Sequence, residues 1–346
     1  MLNGKYWRIS YALGLSRALS APYYVNLEPT NHCNLRCTIC SRKPGTPRGY
    51  MSWDVFKNVL DQCARLGVQQ VSLFLGGEST LHRDLARMVA YVEEKGIVSG
   101  LHTNGTVLTP EKSTELLDAG LSQISISLDG STPEEYEQVR KGANFEQTKA
   151  NIIAFLELKK ARGGARPHTI IQTIRPFLPD MQDKSGRIHY PLPEEEFSLQ
   201  FRGLPVDEIR VLLPHTWRGE RTDIPSRPLG PVYFRCKHLW MGLSIAWDGY
   251  AVGCCNDLNR VHVRGNVPEE GLAAIWDGAD ARRLRRLQAR GEYRDILLCR
   301  DCHELWRDEH PMSARSLVRQ VPILGAAMRL LRDRLGRTAG CVCRDS

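Results

Sequence analysis

The feature that most restricts the fold of this chain is a sixfold alternation. Six short apolar runs, at 24–27, 70–75, 98–103, 123–128, 169–174 and 208–213, alternate with helix-length amphipathic segments at 52–66, 84–95, 110–119, 133–139 and 145–162. Ser52 ahead of Trp53 and Asp54 reads as a helix N-cap. Thr109-Pro110-Glu111 and Thr132-Pro133-Glu134 are fuller signals: a capping hydroxyl, Pro at the first helical position, then an acid on the helix dipole. Strand–helix alternation of this kind predicts right-handed βαβ units and a parallel sheet, hence an α/β fold. In parallel barrels the loops after the strands' C-terminal ends carry the chemistry.

The first such loop follows Leu27. It holds Cys33, Cys37 and Cys40 in a C-x3-C-x2-C spacing, with Asn34-Leu35-Arg36 inside it. Thiolates are the usual ligands of iron–sulfur clusters. A four-iron cube held by three cysteines keeps one iron open, and an open metal position can bind a small molecule. The chain has 11 cysteines. Residues 1–22 show no continuous apolar core of a secretory signal, so the cysteines read as metal ligands in a reducing, cytoplasmic setting rather than as disulfides. No apolar run reaches the roughly 20 residues that span a bilayer. The net charge of +8 is concentrated in 312–346, where seven arginines face two aspartates. That distribution argues against a nucleic-acid binder, which would carry its basic face on the folded domain.

The cysteine spacing after a strand resembles the radical S-adenosylmethionine (SAM) superfamily. The resemblance implies a partial (β/α)6 TIM-like barrel in which Cys33, Cys37 and Cys40 hold a [4Fe–4S] cluster. Its open iron would chelate SAM, and reductive cleavage of SAM would yield a 5′-deoxyadenosyl radical that abstracts a substrate hydrogen. An electron donor such as flavodoxin or ferredoxin is implied as well. Ile39 departs from the aromatic that many members carry beside the third cysteine. Gly76-Gly77-Glu78 resembles the family's G-G-E-P turn, with Ser79 in place of the proline; Gly77 and Glu78 would meet the SAM amino group. Independently of any family, two glycines let backbone approach a ligand, and a carboxylate pairs with an ammonium. By the same resemblance Asn104 and Ser127 lie near the SAM ribose and methionine, Arg140 pairs with the SAM carboxylate, and Gln172 reaches the ribose or the substrate. Asp129-Gly130 reads equally as a plain turn, and His32 and His102 as packing or surface residues. Cys63 reads as core.

A second set comprises Cys236, Cys254, Cys255, Cys299 and Cys302. Trp247-Asp248-Gly249-Tyr250 reads as a hairpin turn between strands at 243–246 and 251–254. The arrangement resembles the SPASM/twitch extension, which holds auxiliary [4Fe–4S] clusters, and the gap after Cys302 favours the shorter form with one cluster on Cys236, Cys254, Cys299 and Cys302. A four-cysteine zinc site is the rival. Neighbours on a strand point to opposite faces, so Cys255 is expected to be spare: a buried thiol or a hydrogen donor. The expected segments are a lead-in at 1–22 covering the mouth or bottom of the barrel, the barrel at 23–214, a linker at 215–231, the auxiliary-cluster domain at 232–311 and a basic amphipathic tail at 312–346. The tail offers a possible membrane-surface contact; Cys341 and Cys343 lie in it.

The layout resembles radical SAM dehydrogenases of aminoglycoside pathways, of the butirosin and spectinomycin type. It implies oxidation of a carbinol carbon in a sugar or aminocyclitol to a ketone, with the electron passed to the auxiliary cluster. The alternatives are a radical epimerase with Cys255 as hydrogen donor, a peptide-modifying enzyme, and a non-catalytic zinc-binding module.

Overall fold

In the computed structural model, residues 6–181, 189, 192–214, 216–221, 223–224 and 232–307 are described. The tail, Cys341 and Cys343 included, lies outside them.

The alternation read from the sequence is present. Strands β1 (Tyr24–Leu27), β2 (Gln70–Leu73), β3 (Val98–Thr103), β4 (Gln123–Ser127), β5 (His168–Ile174) and β6 (Glu208–Leu212) pair in that order, all parallel. Between them lie α2 (Trp53–Leu66), α3 (Leu85–Glu94), α4 (Pro110–Asp118), α5 (Pro133–Val139), α6 (Phe145–Ala161) and the short α7 (Glu195–Leu199), with α1 (Trp7–Ala12) ahead of β1. The caps work as their chemistry demands: Ser52, Thr109 and Thr132 accept from the backbone N–H groups of Val55, Lys112 and Glu135.

Strand alternation sorts the side chains into two environments. Val25, Leu27, Val71, Leu73, Leu101, Ile124, Ile126 and Ile171 enter one core with Phe56, Leu60, Met88, Leu116, Ile152 and Phe155 of the helices. Asn26, Ser72, His102, Ser125, Ser127 and Gln172 take the opposite, inner face. There Asn26 Nδ2 donates to Ser244 Oγ, and Gln172 bridges Ser125 Oγ and Ser127 Oγ at 2.8 and 3.1 Å. The inside of the partial barrel is therefore polar, and the apolar core lies outside it.

Past β7 (Val232–Tyr233) and α8 (His238–Met241), β8 (Gly242–Ile245) pairs parallel with β1 along its whole length. Then β9 (Tyr250–Val252) returns antiparallel and β10 (Val263–Asn266) follows it. Among the described residues this makes one nine-stranded sheet, β10-β9-β8-β1-β2-β3-β4-β5-β6. The expected hairpin exists: Gly249 turns at φ +89° and Ala246 N donates to Tyr250 O. Helices α9 (Val267–Glu270), α10 (Leu272–Trp276) and α11 (Ala279–Arg290) follow, and β11 (Trp306–Arg307) pairs back to β7.

The lead-in carries α1. It packs on the C-terminal cysteine region. Trp7 and Tyr11 join a cluster with Trp240, Leu284, Cys254 and Cys299. Backbone oxygens of Leu15 and Ser20 accept from the indoles of Trp240 and Trp276. Two buried indole N–H groups need acceptors, and this strand-free segment has carbonyls to spare.

Candidate functional site

The loop after β1 is shaped by side chains bonding to backbone. Asn31 Nδ2 donates to Pro47 O while Asn31 Oδ1 accepts from Gly49 N. Thr30 Oγ1 donates to Gly49 O, and Arg42 donates to Asn31 O and Leu35 O. Leu35, buried at 1% exposure, anchors the middle of the loop. Cys33, Cys37 and Cys40 are left half-buried with free thiols. Burial pushes the Cys33 thiol up; burial does the same to Cys37, against the pull of the Arg140 guanidinium 3.7 Å from its sulfur.

Gly77 sits against this loop. A Cβ there would come 2.1 Å from Thr30 O and 2.6 Å from His32 O, so only glycine fits. Next to it Glu78 N donates to His32 O at 2.8 Å. The Glu78 carboxylate is buried and surrounded by donors. Its Oε1 accepts from Thr80 N, Thr80 Oγ1 and Thr103 Oγ1, and its Oε2 from Asn104 N at 2.7 Å. Asn104 Nδ2 in turn donates to Asn34 Oδ1, inside the three-cysteine motif. Gly77, Glu78 and Asn104 are thus brought together with the cysteine loop.

Ser127 and Gln172 bond each other on the inner face. Arg140 is held by Asp129: Nε donates to Oδ2 at 2.6 Å and a second ion-pair contact lies at 2.5 Å; burial works against the charged guanidinium, but the Asp129 carboxylate outweighs it and raises the already high pKa further. Asp129 is no plain turn residue, since its Oδ1 also accepts from Ile174 N. His102 is not a surface residue. It lies against Phe74 in the barrel interior, ring centroids 4.4 Å apart and tilted by 31°, and burial, aided by the Arg210 charge, pushes it down to about 4. Sequence reasoning missed Glu28. Its buried carboxyl accepts from Gly76 N (2.9 Å) and Trp247 N (3.3 Å), tying the Gly-Gly-Glu turn to the hairpin turn. The signal available was an acid closing an apolar strand.

The five later cysteines gather around the start of β1. Cys236, Cys254, Cys299 and Cys302 act on one another electrostatically, and burial pushes Cys299 up to about 12. Burial, then the Cys255, Cys236 and Cys254 thiolates, push the Tyr24 phenol up. The expected strand through Cys254 ends at Val252. Cys254 and Cys255 therefore lie in a turn, where the rule of opposite faces does not apply. The Cys255 thiol reaches Asn256 Oδ1 at 4.0 Å and Asn256 N donates to Cys254 Sγ at 3.4 Å, while the influence of the two thiols on each other lowers Cys254 and raises Cys255. Cys63 is core, fully buried in α2. Among the described residues no three Cys, His, Asp or Glu converge tightly enough for a single metal ion.

Fold and site define a class: a partial α/β barrel with a three-thiol loop at the end of its first strand and a second thiol group on an appended hairpin. Residues 27–172 match the radical SAM superfamily, and residues 236–303 match the SPASM iron–sulfur cluster-binding domain. The chain is 36% identical over 294 residues to the tungsten-containing aldehyde ferredoxin oxidoreductase cofactor-modifying protein of Pyrococcus furiosus, covering 73% of this chain and 80% of that one. It is 39% identical over 119 residues to the PqqA peptide cyclase of Rhodopseudomonas palustris, spanning only 31% of that protein. Among solved structures, BtrN in complex with AdoMet and 2-DOIA shares the fold at TM-score 0.56 and 16% identity, with 84% of this chain and 96% of that one covered. The chain belongs to the radical SAM superfamily and carries a SPASM domain. Its cofactors are accordingly SAM, a [4Fe–4S] cluster and an auxiliary cluster, and the donor sets fit: both consist of soft thiols with no carboxylate or imidazole ligand among them. No described helix is long and apolar enough to cross a membrane.

Proposed function

We propose that this radical SAM enzyme is an oxidoreductase that converts a carbinol carbon of a sugar or aminocyclitol to a ketone. The observation that carries the reading is the second thiol group. Cys236, Cys254, Cys299 and Cys302 suffice to hold every iron of an auxiliary cube, which leaves no position for substrate and suits an electron acceptor. When bound, the cofactors supply the hydrogen-abstracting radical at Cys33, Cys37 and Cys40 and a one-electron sink at the second set.

The chain's own residues position and enclose. Gly77 lets backbone come close to the ligand, while Glu78 and Asn104 hold that backbone to the cysteine loop. Arg140, steadied by Asp129, sets a fixed positive charge beside Cys37. Ser127, Gln172, Ser125, Asn26 and Ser72 offer a polyol the short hydrogen-bonding groups it needs. His102, kept neutral by burial and the Arg210 charge, adds an uncharged ring to this interior. From Asn31 to Trp53 the loop has four cations and no acid, which favours an acidic one-electron donor such as flavodoxin or ferredoxin.

A second reading is modification of a larger organic cofactor, favoured by the Pyrococcus furiosus relative, which resembles this chain over most of both lengths. The test is anaerobic reconstitution with both substrate classes, each deuterated at the reacting carbon. Oxidation predicts deuterium in 5′-deoxyadenosine and an equal amount of ketone; cleavage of SAM with no ketone from any polyol would refute it.

A further inference from the structure

Residues 216–221 join the two thiol groups. Trp217, Arg218 and Gly219 have φ of +48°, +66° and +84°. Left-handed backbone is unfavourable beneath side chains as large as Trp and Arg, and it persists only where the surroundings impose it. Here the surroundings are the two cysteine loops. On one side Trp217 Nε1 donates to Ile39 O at 2.6 Å and Arg221 Nη1 to Cys40 O at 2.9 Å. On the other, Gly219 lies so near Asp301, between Cys299 and Cys302, that a Cβ would meet the Asp301 Cβ at 2.5 Å.

The turn carries Arg218 into the interior, with its side chain 3% exposed. It pairs with Glu220 at 3.1 Å and with Asp257 at 3.7 Å. Asp257 is itself buried, and its backbone N–H donates to Cys254 O. Arg218 Nε has no hydrogen-bond partner. A guanidinium this deep normally has its donors matched, so an unmatched one packed, through Asp257, against the Cys254 turn points to an acceptor that belongs there.

We propose that Arg218 sets the reduction potential of the auxiliary cluster, keeping it high enough to accept an electron. The proposal rests on the electron-acceptor reading above. A cluster gains one negative charge on reduction, and a fixed cation in a poorly screened interior stabilises that form; charge and hydrogen bonds at the sulfurs are the protein's means of tuning it. Glu220 and Asp257 hold the guanidinium in place, and both carboxylates stay behind when it is removed, so its loss makes reduction harder.

The test is an anaerobic redox titration of the reconstituted holoenzyme, followed by EPR, on wild type, Arg218→Gln and Arg218→Lys. Arg218→Gln is expected to shift the auxiliary cluster's reduction equilibrium at least tenfold toward the oxidised form, about 59 mV for a one-electron couple. Arg218→Lys, which keeps the charge, should recover most of the shift. An unmoved potential in fully loaded Arg218→Gln overturns the proposal. If that variant loses auxiliary iron, Asp257→Asn replaces it: removing a nearby negative charge should raise the potential, and an unchanged or lowered value overturns the proposal. A wild-type chain binding only about four irons rather than about eight would overturn the electron-acceptor reading and this proposal together, whereas full loading with an unmoved potential overturns this proposal alone.

Discussion

Glu78→Gln separates two roles for the same carboxylate. Four donors converge on it, three on Oε1 and one, from Asn104 N at 2.7 Å, on Oε2. Glutamine offers a single acceptor oxygen. If that oxygen serves Thr80 and Thr103, the amide NH2 faces the Asn104 N–H, donor against donor. One charge-assisted bond is lost, the other three are weakened, and a buried donor is left unmatched. With about 1.5–3 kcal/mol for a hydrogen bond to a charged group and about 1–3 kcal/mol for a stranded buried donor, allowing for partial relaxation, the loss should be about 2–4 kcal/mol of unfolding free energy. Denaturant unfolding followed by circular dichroism, with anaerobic SAM titration beside it, measures both consequences. A Gln variant within about 0.5 kcal/mol of wild type would refute this reasoning. If SAM affinity then fell regardless, the carboxylate would be serving the ligand and not the loop.

Gly77→Ala should push the Gly-Gly-Glu turn off the cysteine loop, because its Cβ would overlap Thr30 O; overpacking costs about 1–3 kcal/mol, and weaker SAM binding in calorimetry should accompany it. Alanine at Cys33, Cys37 or Cys40 should abolish SAM cleavage while auxiliary iron stays bound. Alanine at Cys299 or Cys302 should leave cleavage and remove ketone formation, as read by product analysis. His102 gives a pH signature. Its pKa is lowered to about 4 in the folded chain and is about 6.5 when unfolded, so the unfolded state binds more protons between those values. The stability it contributes is whole above about pH 6.5 and falls as pH drops toward 4, by at most about 3 kcal/mol. Stability curves of wild type and His102→Gln should run parallel above pH 7 and converge or cross below; a constant offset would contradict this.

The barrel strands and helices were legible because their signals are local. The caps at Ser52, Thr109 and Thr132 act within four residues, and strand alternation needs only the neighbouring positions. What escaped depends on distant partners. Glu28 meets Trp247 across 219 residues. The lead-in carries helix-like spacing at Trp7 and Tyr11 but nothing that says the surface awaiting it contains Trp240. Cys255 was set aside on the premise that β9 continues, yet Gly253 turns away to bond His262. The site was legible for a different reason: thiol spacing reflects cluster chemistry, which is the same wherever the chain folds. Arg140 shows the limit. Its charge beside the cysteine loop could be foreseen, but its capture by Asp129 could not, because Asp129-Gly130 has the composition of an ordinary turn.

Strand β1 links the two cysteine regions. Its first residue, Tyr24, bonds His238 Nδ1 at 2.7 Å and faces the later thiols. Three residues after its last, Thr30 and then Asn31 begin the bonds that fold the three-cysteine loop. Because β8 pairs with β1 residue for residue, from Tyr24 with Gly242 to Leu27 with Ile245, the hairpin cannot slide relative to the barrel without breaking the sheet and reversing which side chains are buried. Glu28 clamps the joint at one end and the 216–221 turn crosses it again. The sheet therefore does for the cysteine sets what a linker between independent domains could not: it fixes the register of the hairpin against the barrel.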